Sequence, residues 1–263
     1  MMGNTSKSGI ELWGTRAKAA IFLAGQVAVH LLKKKIHRRN PLDQMATVGP
    51  DSMTIALITA GFVGMVFTIQ VAREFIYFGA GTAVGGVLAI ALSRELAPVL
   101  TAVVLAGRVG SAMAAEIGTM RVTEQIDALY VLKTDPIDYL VIPRVLACSL
   151  MLPILTILSL ITGMAGGLLI ATNLYDIPQS VFLNSVRNFL NLWDLTAAII
   201  KSIVFGGLIA TIGCSWGLTT TGGAKGVGQS TTTAVVTAIL GIFIVNFFLS
   251  WLMFQGTGSA LIG

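Results

Sequence analysis

Residues 145–175 form the stretch VLACSLMLPILTILSLITGMAGGLLIATNLY, which contains no charged side chain. An α-helix rises 1.5 Å per residue, so about 20 apolar residues cross the roughly 30 Å hydrocarbon core of a bilayer. This stretch exceeds that length. It therefore predicts a membrane-spanning helix and indicates an integral membrane protein.

Four further apolar stretches, on both sides of this one, satisfy the same length criterion. Each is continuously apolar and lacks the alternating pattern of barrel strands. The sequence therefore predicts an all-α membrane protein with five transmembrane helices. The predicted spans are residues 53–72, 82–107 or somewhat beyond, 145–172, 196–217 and 232–254.

The charged residues are few and unevenly distributed. Lys, Arg, Asp and Glu make up 11% of the 263 residues, against about 25% in soluble domains, which excludes an ordinary soluble protein. The segment 1–51 holds eight basic and three acidic residues. Such a basic segment favours contact with anionic lipid headgroups over nucleic acid. Because Lys and Arg are enriched in cytoplasmic loops, we expect a cytoplasmic N-terminus and, after five spans, a C-terminus outside.

The sequence divides into an N-terminal segment, 1–51, and a membrane domain, 52–263. Within the first, residues 19–32 are apolar but too few to span a bilayer. Their apolar side chains recur at helical spacing between cationic ends, which predicts an interfacial amphipathic helix. An ordinary packed helix is the alternative.

Histidine and cysteine are too scarce for a metal centre or a disulfide framework. The chain has two of each, with Cys148 and Cys214 inside apolar runs and both histidines beside the basic cluster. We therefore expect no metal site and no cofactor bound by this chain.

Two charges fall inside the second predicted span, in the sequence Ser93-Arg94-Glu95-Leu96-Ala97-Pro98. Intramembrane charges are unfavourable and usually face a protein interior or a wet cavity. Pro98 has no N–H for the carbonyl of Arg94, so we expect a kink and a free acceptor there. Arg94 and Glu95 point about 100° apart and should each find partners on other helices. A structural ion pair and the polar wall of a substrate cavity both remain open.

Small residues follow in the same span. Gly110, Ala114 and Gly118 recur every four residues, and Gly107 precedes them. Such rows let helix backbones approach closely in lipid. We therefore predict that these four residues pack against neighbouring helices.

The polar connection 119–138 separates the second and third spans. Val122, Ile126, Leu129 and Tyr130 form one apolar stripe at helical spacing. This pattern predicts a short amphipathic helix at about 120–133, on the cytoplasmic surface and ending near Pro136. It could be an inert connector or a coupling helix that docks into a soluble motor subunit.

Several segments together carry a family resemblance. These are residues 94–100 (RELAPVL), 106–112 (AGRVGSA), 115–129 (AEIGTMRVTEQIDAL) and 222–228 (GGAKGVG). They closely resemble the MlaE family, the permease subunits of ABC-type lipid transporters that work with MCE-domain (mammalian cell entry) proteins. The resemblance extends from about residue 40 to 255.

The resemblance implies a homodimer with two copies of a cytoplasmic ATPase, which would bind ATP and Mg²⁺. It also implies a lipid cavity between the two permeases, open toward the MCE-domain protein on the outer side. The chain itself would have no catalytic residues. Residues near the cavity would be Arg94, Glu95 and Pro98, and residues facing the ATPase would be Arg121, Thr123, Glu124, Gln125 and Asp127.

Three expectations complete this interpretation. Many relatives carry Asp where this chain has Asn246, which argues against a titratable role there but leaves hydrogen bonding across helices possible. The absence of a transit peptide favours the bacterial cytoplasmic (inner) membrane over the plastid inner envelope. The alternative function is a secondary transporter or channel with an ion or proton pathway along Arg94, Glu95 and Glu116.

Overall fold

The computed structural model describes residues 39–255 together with residues 14, 19–20, 22–23 and 25–27 of the N-terminal segment. The described residues form helices and no strand. The helices are α1 (Arg39–Tyr77), α2 (Gly81–Val122), α3 (Gln125–Val131), α4 (Ile137–Leu174), α5 (Gln179–Phe189), α6 (Leu192–Leu218) and α7 (Gly223–Phe254).

Five of these helices, α1, α2, α4, α6 and α7, are long and apolar enough to cross a membrane. This confirms the predicted all-α class and the number of spans. Each helix is longer than its predicted span because hydropathy marks only the apolar section of a helix. The largest difference is in α1, which extends from Arg39 to Tyr77, and α2 continues to Val122.

The helix α2 is not uniform along its length. Two π-helical turns, Leu92–Leu96 and Ala106–Gly110, interrupt its α-helical hydrogen bonding. Pro98 lies in the first turn of the α-helical piece that follows the first π turn, where a missing N–H is least unfavourable. The interruption that Pro98 predicts therefore takes the form of a π turn.

Glycines hold α1 against α4, the pair of helices in most extensive contact. A Cβ atom on Gly166 would lie 2.5 Å from the carbonyl oxygen of Gly61, and one on Gly163 would lie 3.2 Å from that of Ala60. Both distances are shorter than ordinary van der Waals contact. The two backbones therefore touch, in the small-residue packing typical of membrane helices.

The main hydrophobic core lies among α2, α4, α6 and α7. The described part of the N-terminal segment is helical and packs on this bundle, with Leu23 and Val27 buried and Phe22 70% exposed. Ala20 contacts the cluster formed by Ala114 and Trp216. This one-sided burial agrees with the predicted amphipathic pattern. The interfacial position of the segment stays a prediction.

Two short helices lie outside the spans. The helix α3 begins at Gln125, whereas the sequence predicted a start near residue 120, because Glu124 adopts a left-handed conformation (φ 60°) that separates α3 from α2. Arg121 therefore belongs to the last turn of α2. The sequence did not predict α5, an amphipathic helix within the connection between α4 and α6.

Candidate functional site

A lysine from α6 lies at the centre of the site. Lys201 Nζ is 2.9 Å from Glu95 Oε1 on α2, and the Lys201 side chain is fully buried. The same nitrogen donates to the carbonyl oxygen of Arg94 at 2.7 Å and to Ser250 Oγ on α7 at 2.7 Å. The acceptor that Pro98 leaves free on Arg94 is therefore satisfied by a cation from another helix.

Two residues of α7 complete the coordination of Glu95. Asn246 Nδ2 donates to Glu95 Oε2 at 2.7 Å, and Ser250 Oγ donates to Glu95 Oε1 at 2.7 Å. Both carboxylate oxygens thus accept hydrogen bonds, and the asparagine bonds across helices. Glu95 joins α2 to both α6 and α7.

Arg94 has a separate set of partners. Its Nε donates to Asp194 Oδ1 at 2.8 Å, and Asp194 is 1% exposed. Asp194 Oδ2 also accepts the backbone N–H of Asn191, which closes the capping box at the start of α6. The guanidinium of Arg94 lies over the ring of Phe254, 4.6 Å from its centroid. As predicted, Arg94 and Glu95 reach different partners on other helices.

We call this group of residues the polar cluster; it consists of Arg94, Glu95, Asp194, Lys201, Asn246, Ser250 and Phe254. Its two cations and two carboxylates balance in charge. Arg94 and Glu95 remain 35% and 42% exposed, although they lie within a membrane-spanning helix. The cluster can therefore present a guanidinium and a carboxylate edge to a polar ligand. Among the residues described, no three His, Cys, Asp or Glu side chains form a group that could hold a metal ion.

The surface region after α2 has a different character. Arg121 Nη1 is 2.7 Å from Asp127 Oδ1, and both side chains are exposed. Thr123, Glu124 and Gln125 are also exposed. On α3, Ile126 is buried against the core, whereas Tyr130 is 61% exposed. The stretch 130–132 therefore leaves an apolar surface uncovered.

Comparison with known proteins identifies the family. The model of the family described as Permease MlaE matches residues 42–252, most of the chain. The chain belongs to the MlaE permease family. The matched region contains α2 to α6, most of α1 and α7, and every residue of the polar cluster except Phe254.

Three relatives show the range of the similarity. A probable ABC transporter permease protein of Synechocystis sp. is 71% identical over the full length of both chains. The chloroplastic protein TRIGALACTOSYLDIACYLGLYCEROL 1 of Arabidopsis thaliana is 53% identical over 94% of this chain and 70% of its own. A probable ABC transporter permease protein of Rickettsia prowazekii is 40% identical over 86% of this chain and 87% of its own.

Three of the small residues of α2 lie in close helix contacts of this MlaE permease. A Cβ on Gly110 would lie 3.2 Å from Ile209 Cγ2, and one on Gly118 would lie 3.0 Å from Thr220 Oγ1. Ala114 is fully buried. Gly107 differs, because a Cβ there would meet nothing within 4 Å. The packing of Gly107 against another helix therefore stays a prediction.

Two further charged residues, Arg108 and Glu116, lie in the C-terminal half of α2 and have partners on neighbouring helices. Arg108 Nη1 donates to Ser52 Oγ at 3.3 Å on α1. Glu116 Oε1 lies 2.8 Å from Arg144 Nη2, and Arg144 is 4% exposed while Glu116 is 58% exposed. These pairs tie α2 to α1 and α4, at a distance from the polar cluster.

Sequence reasoning missed Lys201 and Asp194 in the permease. A signal for Lys201 was present, because it lies within the predicted span 196–217 and an intramembrane lysine needs a partner. The sequence gave no such signal for Asp194, because it lies just before that span, in a connection where acidic residues are common.

Proposed function

We propose that this permease is the transmembrane subunit of an ATP-driven transporter that moves lipid between membranes, with phospholipid as the substrate. In this proposal it forms a homodimer, binds two copies of a cytoplasmic ATPase and works with an MCE-domain protein outside. The chain contributes no catalytic residues. The N-terminus is cytoplasmic and the C-terminus lies outside, in a bacterial cytoplasmic (inner) membrane.

The polar cluster is the observation that carries this proposal. Charged groups within a membrane face protein or a water-containing cavity, because exposure to hydrocarbon is strongly unfavourable. Arg94 and Glu95 retain exposure in the single chain. A cavity shared with a second copy of the chain would cover them and would place a lipid headgroup against the guanidinium and the carboxylate.

The region around α3 supports an ATPase contact. Its exposed residues Tyr130, Val131 and Leu132 form an apolar surface beside the exposed Thr123, Glu124 and Gln125. A short helix held by one buried face, here Ile126, can transmit a push from a partner into the bundle. We therefore assign α3 and the turn before it, including Arg121 and Asp127, as the coupling element.

The geometry favours this function over an ion or proton pathway along α2. Glu116 follows Glu95 by 21 residues, which corresponds to about 32 Å along a helix. Both oxygens of Glu95 are already bonded to Lys201, Ser250 and Asn246. A proton route between these carboxylates would need intermediate groups over that distance.

Reconstitution with the ATPase in lipid nanodiscs tests the coupling assignment. We expect the complex to hydrolyse ATP faster in the presence of transported lipid. Replacing Glu124 and Asp127 by Lys should reduce both association and lipid-stimulated hydrolysis, because two exposed charges reverse sign at the contact. Gradient-driven transport without any nucleotide-binding partner would instead support the secondary transporter.

A matched control lies on the opposite side of the molecule. Arg187 on α5 is outside the proposed ATPase contact, so Arg187→Glu should leave association unchanged. If the double variant at positions 124 and 127 associates and hydrolyses ATP normally, the assignment of α3 as the coupling element is wrong.

A further inference from the structure

A cavity of about 390 Å³ lies between the N-terminal helix (described residues 19–20, 22–23 and 25–27), α3 and the end of α6. It lies away from the polar cluster, and part of its lining belongs to the proposed coupling element. Six of its lining residues define it: Phe22 and Gln26 from the N-terminal segment, Ile126 and Tyr130 from α3, and Ser215 and Leu218 from α6. We call this space the α3 cavity.

The α3 cavity and the polar cluster are at opposite ends of α2. Arg121, which lines the cavity, follows Arg94 by 27 residues, or about 40 Å along a helix. That distance exceeds the thickness of the hydrocarbon core. With the orientation given under the proposed function, on which this placement rests, the α3 cavity lies at the cytoplasmic membrane surface.

The lining combines an apolar wall with a few polar groups. Phe22, Ile126 and Leu218 supply the apolar wall, and the ion pair of Arg121 and Asp127 lies at one side. Ser215 is 2% exposed, and its Oγ has no hydrogen-bond partner in the part of the chain that the structure describes. A buried hydroxyl is normally bonded, so an oxygen atom of a ligand would satisfy it.

We propose that the α3 cavity binds one acyl-chain amphiphile with an oxygen-rich head from the cytoplasmic leaflet. The apolar side chains contact the acyl chain, and Ser215 and Arg121 donate hydrogen bonds to the head. Volume and lining match those of ligand sites in proteins, which are mostly apolar with a few placed polar groups.

Occupancy would act on the coupling element. The bound amphiphile touches both α3 and the N-terminal helix, and it therefore stabilises α3 in its position against α6. The lipid content of the cytoplasmic leaflet would in this way regulate the coupling, through α3, between the ATPase and the membrane helices. The site is regulatory and separate from the transported lipid.

Photolabelling of the full-length permease in phosphatidylcholine nanodiscs tests the proposal. Two probes, palmitate and phosphatidylglycerol with a diazirine on the acyl chain, separate a free fatty acid from a membrane phospholipid as the source. We expect one of them to label peptides that contain Phe22, Ile126 or Leu218. Its binding should also slow hydrogen exchange in α3.

Two variants identify the site. Leu218→Trp fills the cavity and should abolish most of this labelling, whereas Leu183→Trp on the exposed side of α5 should not. Ser215→Val removes one hydrogen bond and should weaken binding about 3-fold to 10-fold. Thr233→Val, which removes an exposed hydroxyl from α7, is its control.

The ATPase is absent from this measurement, so its outcome does not depend on the proposed transport function. Labelling that is confined to other surfaces of the spans, or that persists unchanged in Leu218→Trp, overturns the proposal. A parallel sample that contains the ATPase tests the other occupant. If the ATPase cross-links to the cavity peptides there, while neither lipid probe labels them in its absence, the occupant is a protein partner and the proposal is likewise wrong.

Discussion

Two ion pairs of similar length hold very different positions in this permease. The Lys201–Glu95 pair spans 2.9 Å, with the lysine fully buried and the carboxylate bonded to two residues of α7. The Arg121–Asp127 pair spans 2.7 Å, with both side chains exposed at the start of the α3 region. Because buried and exposed ion pairs differ in desolvation and screening, the surroundings of each pair, and not its length, determine what it contributes to stability.

The largest predicted effect comes from breaking the interior pair. Lys201→Met leaves Glu95 without a cation inside the membrane domain, which should destabilise the fold by about 3 kcal/mol. This is the low end of the range for buried pairs, because Glu95 is 42% exposed. Unfolding in mixed micelles measures it. Lys225→Met, an exposed control, should cost almost nothing, and equal losses in both would remove the distinction between the two environments.

A smaller loss is expected from Asn246→Ala, which removes a neutral partner of the same carboxylate. A hydrogen bond to a charged group contributes about 1.5–3 kcal/mol, so we expect a loss near 2 kcal/mol in the same unfolding measurement. In the background of Glu95→Gln the loss should shrink. An unchanged loss in that background would mean that Asn246 acts independently of Glu95.

Helix packing extends the comparison from charges to glycines. A Cβ on Gly217 would lie 2.7 Å from Ile117 Cβ, so Gly217→Ala should cost about 1–3 kcal/mol through overpacking. Gly107 faces open space, and Gly107→Ala should stabilise the single chain by about 0.5–1 kcal/mol. Thermal unfolding of both variants measures whether stability falls in Gly217→Ala and rises in Gly107→Ala. A large loss at Gly107 would indicate that another chain packs there.

The smallest effect belongs to the surface pair. Exposed ion pairs contribute about 0–1 kcal/mol, so Asp127→Asn should leave the free energy of unfolding nearly unchanged. The measurement should be repeated at high salt, where the difference from the parent chain should vanish. A loss as large as that of Lys201→Met would contradict the comparison.

Hydropathy was sufficient to predict the five spans, because the length of an apolar run and its lack of charged residues can be read from each segment alone. The position of Arg94 and Glu95 within a span likewise predicted that both have partners on other helices. The identities of Lys201 and Asp194 as partners could not be predicted in the same way. They depend on how α6 and α7 rotate relative to α2, which no single segment specifies.

The same reason explains the remaining differences in detail. Small size predicts that Gly107 is a packing residue, but size does not tell which helix covers that face of α2. The sequence predicts too early a start for α3, because it gives no sign that Glu124 interrupts the helix. The backbone of Glu124 is left-handed, a conformation that residues other than glycine rarely adopt. Whether the residues at 121–127 contact an ATPase stays a prediction.

The partners in the polar cluster are synthesised at different times. Arg94 leaves the ribosome 100 residues before Asp194, and Glu95 leaves it 151 residues before Asn246. At a synthesis rate of about 5–20 residues per second, Arg94 and Glu95 remain without these partners for roughly 5–30 s. We therefore expect α2 to remain beside the insertion machinery or at the bilayer surface until α6 and α7 emerge. Completion of the last span then releases all three helices into the membrane together.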